Sequence, residues 1–338
     1  MRSRAFTLRL GLAVIGSVAL FLGVAPAPAA EEVVLYTARH YGQEKAFDAF
    51  TQKTGIQIKT LNGEAGPLLE RLKAEGERSP ADVFFTVDAG NLWNAARAGV
   101  FAPVTSAELT KNVPAHLRDP EHRWFGLTMR ARTIMYNTKK VNPADLSTYE
   151  ALGEPRWKGR LCLRSSGYIY NQSLLATMIK RHGEPRAEQI VKGWVANQPT
   201  IISGDTKILE AIAAGQCDVG LTNTYYLARL LAKDPNFPVA PLWANQATTG
   251  THVNVSGGGV TAHAKNRAGA IKLLEFLSTL EAQQMFADTS MEFPVNPKAE
   301  IHAIVRSWGP FKQDDVNVAA AGEFQAAATR LADRAGYK

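Results

Sequence analysis

The segment Ile208–Leu231 reads ILEAIAAGQCDVGLTNTYYLARLL and predicts a helix, a strand and a second helix in close succession. Ile208–Ala214 has apolar residues at helical spacing and is followed by Gly215, a residue type that commonly ends helices. Val219–Leu221 predicts a short buried strand, and a second helix is predicted to begin near Thr224. This succession is typical of an α/β protein.

The same alternation is found on both sides of this segment. Further strands are predicted at Val33–Tyr36, Ile56–Ile58, Asp82–Phe85, Thr133–Tyr136 and Leu161–Leu163, mostly with helices between them. Strands that alternate with helices form mainly parallel sheets covered by helices on both faces. Two extended segments, near Thr128–Tyr136 and Thr251–Val260, mark the joins between two such blocks. We therefore expect two lobes, each a mainly parallel sheet flanked by helices, joined by hinge strands.

The first thirty residues predict a secretory signal peptide. Three arginines precede an apolar or small-residue run of 15 residues, Leu10–Val24, and Ala27-Pro28-Ala29 is a plausible cleavage signal. The run is shorter than the roughly 20 residues that a membrane span needs. We expect residues 1–30 to be cleaved and the mature protein to be periplasmic.

The length and charge of the remaining chain limit its class. About 308 residues remain after the leader, which favours two domains. We place the N-terminal lobe at residues 31–130 plus 256–300 and the C-terminal lobe at residues 131–255 plus 301–338. The net charge of +7 falls to +4 without the leader, and no basic run is interleaved with aromatic residues. Nucleic-acid binding is therefore not expected.

Both cysteines, Cys162 and Cys217, lie in the mature part of the chain. An exported protein meets an oxidising compartment, and an even number of cysteines there favours a disulfide. Two buried free thiols are the alternative.

Tyr225 and Tyr226 follow a predicted strand and begin a predicted helix. Ligands of open α/β sheets bind outside the carboxyl ends of the strands, so two phenol oxygens could reach one ligand there. Phenolate is a hard donor that suits Fe3+ better than zinc or copper. One packed and one rim tyrosine is the alternative, and for the pair alone it is favoured. Two further strand ends carry tyrosines, in Thr37–Tyr41 and in Ser165–Ser173, which strengthens the metal-site interpretation.

Several pieces of the chain resemble the bacterial and cyanobacterial ferric-ion periplasmic binding proteins of iron ABC transporters. They include LYTARHY, LCLRSSGYIYNQSLLA, GQCDVGLTNTYYLARL and EFPVNPKA, and the resemblance runs from about residue 33 to about residue 300. It implies the two-lobed periplasmic binding protein fold of class II and a monomer that captures Fe3+ between its lobes. It also implies delivery of the ion to an inner-membrane ABC permease.

The resemblance also implies the metal ligands. Tyr225 and Tyr226 match the paired ligands of the family, Tyr170 matches the third tyrosine of its all-oxygen members, and Tyr41 matches the fourth tyrosine of its tetra-tyrosine branch. Another branch uses a histidine and a glutamate. His40 resembles that histidine, but the glutamate position is occupied by Val87, which cannot bind a metal.

These features favour the tyrosine-rich branch and leave His40 behind the ligands. Asp88 follows Val87, but on a strand end its side chain should point the other way. Four phenolates on Fe3+ leave net negative charge, which nearby arginines would offset, or the arginines would hold a carbonate. The candidates are Arg39, Arg130, Arg132 and Arg229. Arg229 lies one helical turn beyond Tyr225, on the same side of the helix.

Other functions remain open at this point. Glycine-rich turns and helix N-termini also suit anions, so a binding protein for an oxyanion, a polyamine or a thiamine-like solute is the alternative. An enzyme is not expected, because the sequence contains no GxSxG, HExxH or P-loop motif and no catalytic residues are assigned.

Overall fold

The structure is a computed structural model that describes residues 31–39 and 44–338. The predicted signal peptide, His40 and Tyr41 lie outside the described residues.

Within the described residues the chain forms nine strands that alternate with helices, as the sequence predicts. The strands are β1 (Glu32–Thr37), β2 (Gln57–Asn62), β3 (Val83–Val87), β4 (Phe125–Asn137), β5 (Leu161–Arg164), β6 (Thr200–Ile202), β7 (Val219–Asn223), β8 (Val239–Leu242) and β9 (Val253–Val260). The helices are α1 (Glu44–Thr54), α2 (Ala65–Glu75), α3 (Ala89–Arg97), α4 (Ala107–Asn112), α5 (Ile169–His182), α6 (Glu184–Ala196), α7 (Asp205–Ala214), α8 (Thr224–Lys233), α9 (Arg267–Leu277), α10 (Leu280–Ser290), α11 (Ala303–Arg306), α12 (Ala320–Glu323) and α13 (Gln325–Ala335). None of these helices has the length and apolar character that crossing a membrane requires.

The strands are ordered β2-β1-β3-β9-β4-β7-β5-β6, and β8 pairs with β4 beside this path. At one end β1 is parallel to β2 and β3, and at the other end β5 is parallel to β6 and β7. Between them run β4 and β9, which pair with each other and with their outer neighbours in the antiparallel sense. Two parallel sheets joined by two long antiparallel strands are the predicted architecture, and the fold class is confirmed.

Strand β4 passes from one sheet to the other at a defined point. Its residues up to Ala131 pair with β9, whereas Arg132–Tyr136 pair with β7. The buried arginines Arg130 and Arg132 therefore lie on either side of the crossing point, where the two sheets meet.

The glycine run of β9 allows this close contact between strands. A Cβ atom added to Gly257 would lie 2.0 Å from the carbonyl oxygen of Phe125, and one added to Gly259 would lie 2.2 Å from that of Arg123. Any side chain at these positions would push β9 away from the strand and turn beside it.

Separate apolar cores support the two sheets. One surrounds β1, β3 and β9 and contains Phe84, Phe85 and Trp124. Another lies between β5, β7 and the helices α5, α6 and α13, and it contains Trp157 and Trp194.

The predicted disulfide is present. Cys162 of β5 is bonded to Cys217, two residues before β7, across a sequence separation of 55. It ties together the adjacent parallel strands β5 and β7. The alternative of two free thiols is wrong.

Candidate metal centre

Three of the predicted ligand tyrosines lie at the carboxyl edge of β5 and β7. Tyr225 and Tyr226 are in the first turn of α8, which begins directly after β7. Tyr170 is the second residue of α5, which follows β5 after a short loop. Because β5 and β7 are parallel neighbours, the two helices begin at the same edge of the sheet and bring the tyrosines together.

The phenol groups of these tyrosines converge. The hydroxyl oxygens of Tyr170 and Tyr225 are 3.4 Å apart. The ring centroids of Tyr225 and Tyr226 are 4.2 Å apart. Tyr170 and Tyr225 are buried and Tyr226 is half-buried. The site is therefore shielded yet open on the side of Tyr226.

Burial keeps Tyr170 protonated when no ion is present. Its pKa lies well above the usual value for tyrosine, chiefly because of desolvation, and the charges of Tyr226 and Tyr168 raise it further. Arg130 acts in the opposite direction. A bound cation of high charge would favour loss of this proton, as metal ions do for acidic ligands.

Arg130 is a buried arginine that lies over the ring of Tyr170. Its guanidinium carbon is 5.4 Å from the centroid of the Tyr170 ring, and its Nη1 donates to Ser256 Oγ at 2.9 Å. Desolvation lowers the pKa of Arg130, but Tyr170, Glu292 and other nearby acidic groups more than reverse this, so its pKa is raised. Its Nη2 has no hydrogen-bond partner among the described residues. This nitrogen is a donor that an anionic ligand could use.

Arg132 lies behind the tyrosines and donates to protein atoms. It reaches Asn171 Oδ1 at 3.0 Å, Asp205 Oδ1 at 2.9 Å, Asn223 Oδ1 at 3.3 Å and the Leu221 carbonyl at 3.0 Å. With these partners Arg132 supports the two helix starts from behind.

Arg229 and Arg39, the remaining predicted arginines, also contact protein groups. Arg229 lies with its guanidinium carbon 5.1 Å from the centroid of the Tyr225 ring, on the same side of α8 as predicted, and donates to the Ser290 carbonyl at 3.3 Å. Arg39 is buried and forms an ion pair with Glu292 at 2.5 Å. It also donates to Thr128 Oγ1. Arg39 therefore connects the end of β1 to β4.

The carboxylate of Asp88 is held by protein donors. It accepts from the backbone N–H of Gly90 at 2.8 Å, from Ser173 Oγ at 2.7 Å and from Asn254 Nδ2 at 2.9 Å. The φ angle of Asp88 is 72°, an unusual value for a residue other than glycine, which turns its side chain toward the start of α3. Burial raises its pKa, against the opposing effect of Arg130 and these donors.

Among the described residues, no cluster of three or more His, Cys, Asp or Glu side chains could hold a metal ion. Sequence reasoning missed four residues that bind the buried arginines or one another: Asn171, Asp205, Glu292 and Tyr337. Only the position of Asn171, next to Tyr170, could have drawn attention to any of them.

The family of bacterial extracellular solute-binding proteins matches residues 45–319. The chain belongs to this family. The solute-binding protein is 45% identical over 316 residues to iron uptake protein A1 of Synechocystis sp., a match that covers 91% of this chain and 88% of that protein.

Solved structures agree with this assignment. A Trichodesmium protein, IdiA or FutA, in complex with iron and citrate ligands superposes with a TM-score of 0.88 at 46% identity, covering 91% of this chain and 100% of that one. Apo FutA2 from Synechocystis gives a TM-score of 0.86 at 41% identity, again over 91% and 100% of the two chains. The resemblance to ferric-ion binding proteins is confirmed.

Proposed function

We propose that this protein is an extracytoplasmic solute-binding protein that captures Fe3+ between two lobes and delivers it to an ABC permease. The observation that carries the proposal is the 3.4 Å separation of the Tyr170 and Tyr225 hydroxyls, with the Tyr226 ring packed beside them. Iron-binding relatives of high identity support it. We assign residues 31–130 plus 256–300 to one lobe and residues 131–255 plus 301–338 to the other.

The chemistry of the donors favours a ferric ion. Phenolates are hard oxygen ligands, and the described residues offer no thiolate or imidazole cluster that would suit zinc or copper. Tyr170, Tyr225 and Tyr226 would bind from one lobe, and Tyr41 would complete a set of four phenolates from the other. His40 would lie behind Tyr41.

Charge balance assigns roles to the arginines. Four phenolates and one Fe3+ carry a net charge of about −1, which a buried cation offsets. Arg130 lies closest to Tyr170 for this purpose, and Arg229 lies over Tyr225. If one phenol does not bind the ion, a carbonate would take its place and accept a hydrogen bond from Nη2 of Arg130.

Iron capture would drive closure of the lobes. The ion bonds to tyrosines of both lobes only when they are closed, so its differential affinity shifts the equilibrium toward the closed form. The protein would act as a monomer in the periplasm after cleavage of residues 1–30. It would carry out no catalytic turnover.

Ferric titration of the purified mature protein tests the proposal. Loading with ferric nitrilotriacetate should produce a visible phenolate-to-iron charge-transfer band, which Tyr225→Phe and Tyr226→Phe should weaken or abolish. Tyr136→Phe is the matched control, because Tyr136 pairs with Val219 at the opposite end of β7. A protein that stays colourless, or that binds phosphate, spermidine or thiamine with both tyrosines replaced, would refute iron capture in favour of another solute.

A further inference from the structure

The side chain of Asn171 lies at the centre of a buried hydrogen-bond network next to Tyr170. Asn171 is only 3% exposed. Its amide accepts from Arg132 Nε at 3.0 Å and donates to Arg164 O at 2.8 Å, Ser165 O at 3.0 Å and Tyr337 Oη at 2.8 Å. The amide therefore links the loop before α5 to strand β4, through Arg132, and to the segment after α13, through Tyr337.

Arg132 connects this loop to the other helix that carries tyrosines. The same guanidinium that holds Asn171 also donates to Asn223, two residues before Tyr225. Because a guanidinium is planar and rigid, its partners are held at a fixed distance from one another. The start of α5 and the start of α8 are thus joined through one group behind the phenols.

Tyr337 closes the network from the opposite side. Its ring is buried, and its hydroxyl donates to the Arg164 carbonyl at 2.6 Å while accepting from Asn171. The next residue, Lys338, accepts from the backbone N–H of Ser166 at 2.9 Å through its carbonyl oxygen. The residues after α13 therefore hold the loop that leads to Tyr170.

We infer that Asn171 and Tyr337 are positioning residues, which set the place of the Tyr170 hydroxyl relative to Tyr225 and thereby the affinity for iron. This inference rests on the proposed function. Neither side chain is among the predicted ligands, so each acts through the backbone that carries Tyr170.

The geometry explains why small displacements matter. The Tyr170 and Tyr225 hydroxyls start 3.4 Å apart on two separate helices. Both must reach the same ion at metal–oxygen bond length, so a shift of either helix start lengthens one of the bonds. The disulfide ties β5 to the segment before β7, but the loop between β5 and α5 lies beyond it and depends on Asn171 and Tyr337.

Tyr337→Phe is the principal test, because it removes one hydroxyl and keeps the buried ring. Tyr36→Phe is the matched control, since Tyr36 is also buried, lies in β1 of the other sheet, and donates its hydroxyl to Glu75 of α2. Both variants are titrated with ferric nitrilotriacetate in the full mature chain. We expect Tyr337→Phe to weaken iron binding about fivefold to tenfold and to shift the charge-transfer band, and Tyr36→Phe to change neither.

A double-mutant cycle separates positioning from general destabilisation. In a Tyr170→Phe background, Tyr337→Phe should produce little further loss, because its effect passes through Tyr170. Asn171→Ala provides a second variant with the same expectation. An unchanged band and affinity in Tyr337→Phe, or an equal loss with and without Tyr170, would overturn the inference. If the unaltered protein itself fails to bind iron, the proposed function fails instead, and the inference falls with it.

Discussion

The stability of the iron-free protein should decline below pH 6.5 because of one buried histidine, His252. It precedes β9, is 3% exposed, and its backbone N–H donates to the hydroxyl of Tyr149 at 3.1 Å. Its Nδ1 has no hydrogen-bond partner among the described residues. Burial, and then the positive charges of Arg132 and Arg130, lower the pKa of His252 from 6.5 to about 3.

The sign follows from the two pKa values. Below pH 6.5 the His252 side chain is protonated in the unfolded chain. In the folded protein it stays neutral until the pH approaches about 3. Stability is therefore at its full value above pH 6.5 and falls as the pH drops, by about 1.4 kcal/mol for each pH unit. Between pH 7 and pH 5 the loss attributable to His252 is roughly 2 kcal/mol.

Urea unfolding of the iron-free protein at pH 7 and pH 5 measures this loss. His252→Gln removes the titrating group, so the difference in unfolding free energy between the two pH values should shrink by about 2 kcal/mol. The comparison of differences cancels any cost of the substitution that does not depend on pH. His263→Gln is the control, because His263 is exposed. An equal decline in the His252→Gln variant and the unaltered protein would refute the reasoning.

Three further changes should alter stability. Glu292→Ala removes the carboxylate that pairs with buried Arg39, and we expect the free energy of unfolding in urea to fall by about 3–5 kcal/mol. Glu281→Ala is the nearly neutral control, because Glu281 belongs to an exposed ion pair. Replacing both cysteines of the disulfide by serine should cost roughly 4 kcal/mol for a separation of 55 residues, and an unchanged melting temperature would contradict this. Gly257→Ala places a methyl group against the Phe125 carbonyl and should lower the free energy of unfolding by about 1–3 kcal/mol or more. Its melting temperature should be lower than that of the control Gly66→Ala, where the added Cβ meets open space.

Periodicity predicted most of the secondary structure, but it underestimated the central strand. The sequence predicts a strand at Thr133–Tyr136 inside an extended segment near Thr128–Tyr136, whereas β4 spans Phe125–Asn137. Arg130 and Arg132 interrupt the apolar pattern on which the strand prediction depends. Their charges are buried because Asp205 and Ser256, far away in sequence, supply partners, and a local pattern cannot reveal such partners.

The convergence of the tyrosines could be predicted from the sequence. The hydrogen bonds that hold the start of α5 in place could not. Tyr170 and Tyr225 each follow a strand of the predicted parallel sheet, so the general position of ligands in α/β folds brings them to one edge. The hydrogen bond between Asn171 and Tyr337 joins residues 166 positions apart. Nothing in the residues near Tyr337 indicates that its hydroxyl reaches the start of α5.

The fixed charges behind the site bear on how an ion can be held there. The buried or partly buried groups around the phenols are the cations Arg39, Arg130, Arg132, Arg164 and Arg229 and the anions Asp88, Asp205 and Glu292. The cations exceed the anions by two. A metal ion bound to neutral phenols would add to this excess in a region of low dielectric constant. With ionised phenols the proposed complex of four phenolates and Fe3+ carries about −1, so the excess of positive charge falls from two to about one. The positive surroundings therefore disfavour a bare cation and favour an anionic complex, so iron capture at the proposed site would release phenol protons.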